Sequence, residues 1–283
     1  MSEPADPLVS PHWLAARLGA PDVHVVDATW RMPADPRDAR ADYAARRIPG
    51  AVFFDIDEIA DLSSPLPHML PSAAKFAARV GKLGLGDGCR VVIYDGDGLF
   101  SAARAWWMFR AMGHEDVVVL DGGLPGWEAE DLPLETDIPV ARTPRHFTAR
   151  IRADLIADLE TVRRAAADGD RAILDARPAA RFAGEAPEPR PGLACGHMPG
   201  ARSMPFGATL TEKGAMRSKE DLAALLPEAA DLKRPIITTC GSGVTAAILN
   251  LALARLGRWD AALYDGSWAE WGALSDAPIA TGA

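Results

Sequence analysis

The sequence predicts an α/β protein made of two copies of one unit, each with a mostly parallel sheet flanked by helices. Two observations carry this prediction. A set of landmarks returns in the same order along the chain, and short apolar runs alternate with helical periods. The length of 283 residues agrees with it, because a chain of that size exceeds what one hydrophobic core usually holds.

Four landmarks of the first half recur in the second half at offsets of 148, 150, 145 and 144 residues. They are an apolar run ending in Asp-Ala, a Pro-Gly-Ala turn, an apolar run ending at a polar residue, and an Asp-Gly pair before a Trp. The matching segments are 24–28 and 172–176, 48–51 and 198–201, 90–95 and 235–240, and 120–127 and 264–271. Chance similarity would not keep four landmarks in register, so the chain carries a duplication.

Periodicity predicts the elements that matter for the site. Residues 91–94 and 236–239 are continuous apolar or β-branched runs, which is typical of buried parallel strands. Each is followed by a helical pattern, over 102–112 in the first copy and over 244–256 in the second, and each pattern ends before a glycine.

The segment 132–147 contains three prolines and predicts a linker between the copies. We therefore expect an N-terminal domain over residues 1–132, a linker over 133–147 and a C-terminal domain over 148–283.

Composition favours a soluble protein, with 48% apolar and 24% charged residues. The net charge of −9 argues against a nucleic-acid partner, which would need clustered Lys and Arg. No stretch approaches the roughly 20 apolar residues of a spanning helix, and the first residues have no basic or apolar targeting pattern. We expect no membrane association and a cytoplasmic location.

The three cysteines include no CxxC pair and no metal-like clustering with His. A disulfide framework is therefore not expected, and neither is a metal site or a cofactor. Cys89 precedes a buried strand and is interpreted as packing. Cys195 lies in a Pro- and Gly-rich loop and is interpreted as an exposed thiol without a catalytic role.

Cys240 stands at the one place where a cysteine follows a predicted parallel strand and opens a helix. Ligands of parallel sheets bind beyond the carboxyl ends of the strands. Gly241 and Gly243 permit a backbone that turns successive N–H groups inward, and the helix N-terminus adds partial positive charge. Both effects stabilise a thiolate, so Cys240 is the candidate nucleophile. Its counterpart is Asp95, which cannot act as a thiolate, so the first copy is interpreted as a degenerate supporting domain.

Several motifs resemble the tandem-domain rhodanese family, in particular its 3-mercaptopyruvate sulfurtransferases. The loop from Cys240 reads Cys-Gly-Ser-Gly-Val-Thr-Ala and is similar to that family's active-site loop. Further similar segments are 53–57, 64–71, 181–182, 188–190, 196–200 and 264–268. The resemblance implies two rhodanese-like domains, the first inactive, and sulfur transfer through a persulfide on Cys240.

The resemblance also assigns roles within the loop. Its backbone N–H groups would hold the outer persulfide sulfur; the residues concerned are Gly241, Gly243, Val244 and Thr245. Relatives that use thiosulfate typically carry basic residues at the two positions after the cysteine. Here Gly241 and Ser242 are neutral, which favours the less charged donor 3-mercaptopyruvate, with thiosulfate as an alternative or side activity.

Two arginines match the family positions that bind the donor carboxylate, Arg181 and Arg190, and a planar guanidinium suits that task. His68 and Asp57, from a Pro-rich region expected to be loop, match positions that form a Ser–His–Asp-like relay with Ser242. In that relay Ser242 would polarise the donor carbonyl or shuttle a proton. Arg177 is expected to be a structural residue near the loop.

The sequence does not identify the sulfur acceptor, which is either a thiol such as thioredoxin or glutathione, or cyanide. A cysteine-based phosphatase would need an arginine at the far end of the loop, where Ala246 and Ala247 stand instead. A non-catalytic sulfur-carrier or binding module is the remaining alternative. The retained cysteine, the two arginines and the His–Asp pair favour turnover.

Overall fold

The structure, a computed structural model, describes residues 6–226, 231 and 233–282. The chain forms two compact units. The first unit comprises Met1–Ala60, Pro71–Arg152 and Leu210–Met216, and the second comprises Asp61–Leu70, Ala153–Thr209 and Arg217–Ala283. Each half of the sequence therefore contributes one short segment to the unit that the other half mainly builds.

Among its described residues, the first unit contains five strands and six helices. The strands are β1 (Leu8–Val9), β2 (Val23–Asp27), β3 (Val52–Phe53), β4 (Arg90–Tyr94) and β5 (Val117–Leu120). The helices are α1 (Pro11–Ala15), α2 (Ala39–Ala45), α3 (Ile56–Ile59), α4 (Ala73–Lys82), α5 (Ala102–Ala111) and α6 (Gly123–Ala129). The strands pair in parallel in the order β1-β5-β4-β2-β3.

The second unit repeats this plan. Its strands are β6 (Ile156–Ala157), β7 (Ala172–Asp175), β8 (Ala201–Ser203), β9 (Ile236–Thr239) and β10 (Ala262–Tyr264). Its helices are α7 (Leu159–Asp168), α8 (Ala179–Ala183), α9 (Lys219–Leu225), α10 (Ala246–Arg255) and α11 (Ser267–Trp271), with 3₁₀ turns at Ala153–Leu155 and Phe206–Thr209. The strand order β6-β10-β9-β7-β8, again parallel, reproduces that of the first unit. The predicted duplicated α/β fold is confirmed.

The predicted elements around the site agree closely with the observed ones. β9 has the predicted bounds, and β4 begins one residue earlier than expected. α10 begins two residues later than the pattern over 244–256 suggested. The reason is a tight first turn, in which the N–H groups of Ala247 and Ile248 bond to the carbonyls three residues back instead of four.

Equivalent tryptophans anchor the two cores. Trp127 and Trp271 are fully buried and lie in the hydrophobic clusters of their units. The indole N–H of Trp127 donates to the carbonyl of Pro133 at 2.9 Å, and that of Trp271 donates to the carbonyl of Pro278 at 3.1 Å. Each unit thus buries a large apolar side chain and satisfies its polar atom in the same way.

In each unit, an aspartate at the same place in the repeat binds the short segment that the other half of the sequence contributes, Leu210–Met216 in the first unit and Asp61–Leu70 in the second. In the first unit, Asp121 Oδ1 accepts the N–H of Met216 at 2.8 Å. In the second unit, Asp265 Oδ2 accepts the N–H of Leu70 at 2.6 Å. Asp121 and Asp265 belong to the repeated Asp-Gly landmark, so the duplication includes the anchor as well as the strands.

No helix in the described part of the chain combines the length and the apolar character that a membrane span requires.

Candidate active site

Cys240 lies at the carboxyl end of β9, where the chain leaves the sheet. Its side chain is buried, with 2% exposed. Gly243 has a φ of +79°, in the left-handed region that glycine adopts without a steric penalty. This turn lets the chain pass from the strand into α10 within residues 240–245.

The loop presents backbone donors that the described residues do not use. Within the described ranges, the N–H groups of Gly241, Ser242, Val244 and Thr245 make no hydrogen bond. They precede the N-terminus of a ten-residue helix, whose dipole favours negative charge at the same place. The loop can therefore receive an anionic sulfur or oxygen.

The first unit shows the same loop with a carboxyl group in it. The two carboxylate oxygens of Asp95 accept four backbone N–H groups at 2.8–3.0 Å, those of Asp97, Phe100, Ser101 and Ala102. Burial raises the pKa of Asp95, against the effect of these four bonds. Because Asp95 corresponds to Cys240, the loop of this fold is an anion-binding nest, and in the first unit its own side chain fills it.

The turn after β10 fixes the backbone of Cys240. Ser267 Oγ accepts the N–H of Cys240 at 3.3 Å and donates to the carbonyl of Tyr264 at 2.8 Å. The carbonyl of Cys240 accepts the N–H of Trp268 at 2.9 Å. Ser267 is fully buried and has a φ of +51°, which is uncommon for a residue with a side chain. Sequence reasoning missed Ser267, although its place in the repeated Asp-Gly landmark could have drawn attention to it.

Both predicted carboxylate-binding arginines lie beside the loop. A Cβ built on Gly241 would lie 3.1 Å from Arg181 Nη2 and 3.9 Å from Arg190 Nη1. The space next to Gly241 is therefore bordered by two guanidinium groups. The side chain of Arg181 is 19% exposed, so it remains open to a ligand.

Glu188 holds Arg181 in place, a role that sequence reasoning did not assign. Its carboxylate is 2% exposed and accepts from Arg181 Nε at 3.2 Å and from Arg181 Nη2. The same carboxylate accepts from Arg177 Nη1 at 2.8 Å. One buried carboxylate thus orients two guanidinium groups.

Arg177 is a buried support of this network, as expected. Its Nε and Nη2 donate to the Asp175 carboxylate in three contacts at 2.7–3.1 Å, and its guanidinium lies 4.1 Å from the ring centroid of Trp268. Burial opposes the charge of Arg177, but Asp175 and Glu188 outweigh it and raise its pKa. The arginine therefore stays charged and ties β7 to the turn that holds Cys240.

His68 and Asp57 belong to different compact units. His68 lies in the Asp61–Leu70 segment, with the second unit, and has a φ of +62°. The ends of that segment are held by the Leu70–Asp265 bond and by the N–H of Asp61 donating to Met69 at 2.8 Å. The carboxylate of Asp57 accepts the indole N–H of Trp30 at 2.9 Å within the first unit.

The expectation of a loop at Asp57 was wrong. Asp57 lies in α3, because Asp55 caps this short helix by accepting the N–H groups of Asp57 and Glu58 at 3.1 and 3.0 Å. Ser242 lies in the Cys240 loop and is 7% exposed. The relay of Ser242, His68 and Asp57 stays a prediction.

The remaining cysteines occupy different environments. Cys89 is buried and its thiol donates to the carbonyl of Gly86, whereas Cys195 is exposed. His197, interpreted from sequence as structural, stacks on Phe182 at 3.7 Å between ring centroids.

Comparison with known proteins identifies the family of the chain. The pattern of the rhodanese-like domain matches residues 10–130 and 158–274. The chain is 42% identical over 273 residues to a 3-mercaptopyruvate sulfurtransferase of Escherichia coli, covering 96% of each protein. It is 44% identical over 272 residues to a thiosulfate sulfurtransferase of Gallus gallus, covering 93% of this chain and 92% of the relative.

A solved structure agrees with these sequence matches. The crystal structure of SseA from Escherichia coli, described as a 3-mercaptopyruvate sulfotransferase with the rhodanese fold, superposes with a TM-score of 0.85 at 40% identity. The match covers 94% of this chain and all of that one. The chain therefore belongs to the rhodanese family, as a member with two rhodanese-like domains.

Proposed function

We propose that this protein is a 3-mercaptopyruvate sulfurtransferase that carries sulfur as a persulfide on Cys240. The observation that carries the proposal is the pair of guanidinium groups, Arg181 and Arg190, at the glycine that follows the cysteine. Two guanidinium groups beside the Cys240 loop support a role in binding the carboxylate of a donor whose sulfur Cys240 attacks. The names of several relatives at about 42% identity support the same activity.

In the first half-reaction the Cys240 thiolate attacks the sulfur of the donor. The sulfur–carbon bond breaks, and its electron pair goes to the donor's carbon, which takes a proton to give pyruvate. Arg181 and Arg190 bind the donor carboxylate, and the Ser242 hydroxyl donates to the oxygen that gains charge as the bond breaks. His68 orients that hydroxyl, and Asp57 fixes the imidazole.

In the second half-reaction an acceptor attacks the outer sulfur of the persulfide. The sulfur–sulfur bond breaks and its electrons return to Cys240 as a thiolate. The loop N–H groups of Gly241, Gly243, Val244 and Thr245 stabilise the anionic sulfur before and after this step. We propose a thiol acceptor, of the thioredoxin or glutathione type, with cyanide as a substitute.

Donor choice rests on the charge of the loop, because relatives named for thiosulfate and for 3-mercaptopyruvate are similarly close. Thiosulfate carries two negative charges and gains most from cations beside the nucleophile. Gly241 and Ser242 supply none, whereas a monocarboxylate needs only the two arginines. Thiosulfate transfer is therefore the second candidate, as a side activity.

The test compares kcat/KM for 3-mercaptopyruvate and thiosulfate with one acceptor, in the native enzyme and in a Gly241→Arg/Ser242→Lys variant. Two charges about 4 Å apart interact by about 4 kcal/mol at an effective dielectric of about 20, so the ratio should change by orders of magnitude. A Cβ at residue 241 would approach Arg181 Nη2 at 3.1 Å, so the variant should also lose 3-mercaptopyruvate activity. A native preference for thiosulfate would refute the assignment.

The cytoplasmic location and the domain boundaries at residues 132 and 148 are also proposals. Three free cysteines support a reducing compartment. Limited proteolysis, with cleavage expected between residues 133 and 147, tests the boundaries.

A further inference from the structure

The buried carboxylate of Glu188 occupies one edge of the Arg181 guanidinium. It accepts from Nε at 3.2 Å and from Nη2, which are the two nitrogens of that edge. A guanidinium has five N–H donors, so the two of Nη1 and the second of Nη2 remain for other acceptors. Nη2 is also the atom that a Cβ on Gly241 would approach at 3.1 Å. Arg181 therefore faces the Cys240 loop with the same nitrogen that Glu188 holds.

The charges around Glu188 cancel in pairs. Arg177 lies against Asp175 and also donates to Glu188 at 2.8 Å, and Arg181 is the second partner of Glu188. The side chains of Arg177 and Asp175 are 1% exposed and that of Glu188 is 2% exposed, so solvent and salt screen these charges weakly. Two positive and two negative charges sum to zero. Of the two guanidinium groups that border Gly241, that of Arg181 is thus already balanced.

A buried negative charge behind Arg181 discriminates between ligands by their charge. A monocarboxylate gains charge-assisted hydrogen bonds from the remaining donors of Arg181. Coulomb energy scales with the product of the charges, so Glu188 repels a dianion of the same size about twice as strongly as a monoanion. The second charge of a dianion also finds no excess positive charge on Arg181, because Glu188 balances it.

We propose that Glu188 is a specificity-determining residue that makes the site beside Cys240 select monoanions over dianions. 3-Mercaptopyruvate belongs to the first class and thiosulfate to the second. The inference rests on the proposed role of Arg181 and Arg190 in donor binding. It adds a second cause of donor choice to the neutral loop at Gly241. Glu188 acts through Arg181 and not by contact with the donor.

The test compares two unreactive ligands that differ in charge and little in size, the pyruvate monoanion and the oxalate dianion. Both are titrated into full-length protein that carries Cys240→Ser, so that no persulfide can form. Labelling with ¹⁵N-glycine reports binding through the amide signal of Gly241, assigned by its absence in Gly241→Ala. In this parent protein we expect saturable shifts, with oxalate bound about tenfold or more weakly than pyruvate.

Glu188→Gln, made in the same parent, keeps the size and shape of the side chain but removes its charge. We expect the ratio of the oxalate to the pyruvate dissociation constant to fall about tenfold in this variant. Glu188→Asp keeps the charge with a shorter reach, so it should weaken both ligands alike and leave the ratio within about twofold of the parent value. A purely structural role would instead weaken both ligands alike in both variants.

Glu185→Gln is the matched control, because it removes an equal charge at an exposed position three residues away. Solvent screens that position, so the ratio should not change. The inference would be overturned by a parent protein that binds oxalate as tightly as pyruvate or binds neither. An unchanged ratio in Glu188→Gln, or an equal fall in Glu188→Asp or Glu185→Gln, would overturn it as well. The proposed function fails on a different result, a native preference for thiosulfate in turnover, which these dissociation constants do not measure.

Discussion

In the proposed function, donor binding depends on Arg181 and Arg190, whose guanidinium groups lie near Gly241. In the Arg181→Ala or Arg190→Ala variant we expect kcat/KM for 3-mercaptopyruvate to fall about 30- to 1,000-fold, which corresponds to about 2–4 kcal/mol for a partly desolvated charge pair. The control is Arg163→Ala, which removes a partly exposed arginine of the second unit paired with Asp276 at 2.9 Å. Steady-state kinetics that show no loss in either single variant would place the carboxylate elsewhere.

The buried carboxyl group of Asp27 gives a second test at the residue scale, because it makes the stability of the protein depend on pH. Burial raises its pKa to about 6, although the bonds from Thr29 favour its charged form. In the unfolded chain the value is about 3.9, so between about pH 4 and 6 the folded state binds more protons. The contribution of Asp27 to the free energy of unfolding is therefore fully present below about pH 4 and is lost as the pH rises through about 6.

The Asp27→Asn variant should remove that loss, because asparagine carries no charge at any pH. We expect its free energy of unfolding in urea to exceed the native value by about 1–2 kcal/mol at pH 7, with the difference vanishing near pH 4. His24, whose pKa burial and the neighbouring Arg142 and Arg145 lower to about 4, is present in both proteins and cancels in the difference. A variant that is less stable at pH 7, or a difference independent of pH, contradicts the account.

At the scale of elements, Asp121 and Asp265 make the same bond in different units, so they form a natural pair of variants. Asp265→Ala releases the N–H of Leu70 and with it the segment that carries His68. Asp121→Ala releases the N–H of Met216 in the first unit. We expect both variants to lose about 1–3 kcal/mol of unfolding free energy, since each leaves a donor without its partner.

Only Asp265→Ala should also lower kcat, because only its segment carries a residue of the proposed relay. Equal kcat values in the two variants, measured at saturating 3-mercaptopyruvate, would mean that His68 has no part in the chemistry.

Strands β4 and β9 could be predicted from sequence because continuous β-branched runs have few alternatives in a duplicated parallel sheet. The position of Cys240 followed from the same pattern. Arg181 and Arg190 required the family resemblance, since a single arginine in a loop has no periodic signal. The role of Glu188 could not be predicted, because it depends on which side chains meet Arg177 and Arg181 after folding.

The segment 61–70 shows a second limit. Its sequence lies in the first half, but it is part of the second compact unit. Local pattern carries no information about such an exchange, which is decided by contacts far apart in the chain, such as that between Leu70 and Asp265.

At the scale of the whole molecule, duplication has produced two anion-binding loops with different contents. In the first loop the carboxyl group of Asp95 accepts four backbone N–H groups, whereas for the second loop we propose that it holds a transferable sulfur on Cys240. The protein therefore contains two versions of one loop, one that starts at Asp95 and one that starts at Cys240. The account predicts that only the second loop takes part in turnover.

The most direct test of this claim is intact-protein mass spectrometry after exposure to 3-mercaptopyruvate without acceptor, followed by peptide mapping. We expect the mass of one added sulfur atom on Cys240, its removal by cyanide, and its loss in Cys240→Ser but not in Cys195→Ser. An adduct that persists in Cys240→Ser, or that maps to Cys89 or Cys195, would contradict the central claim.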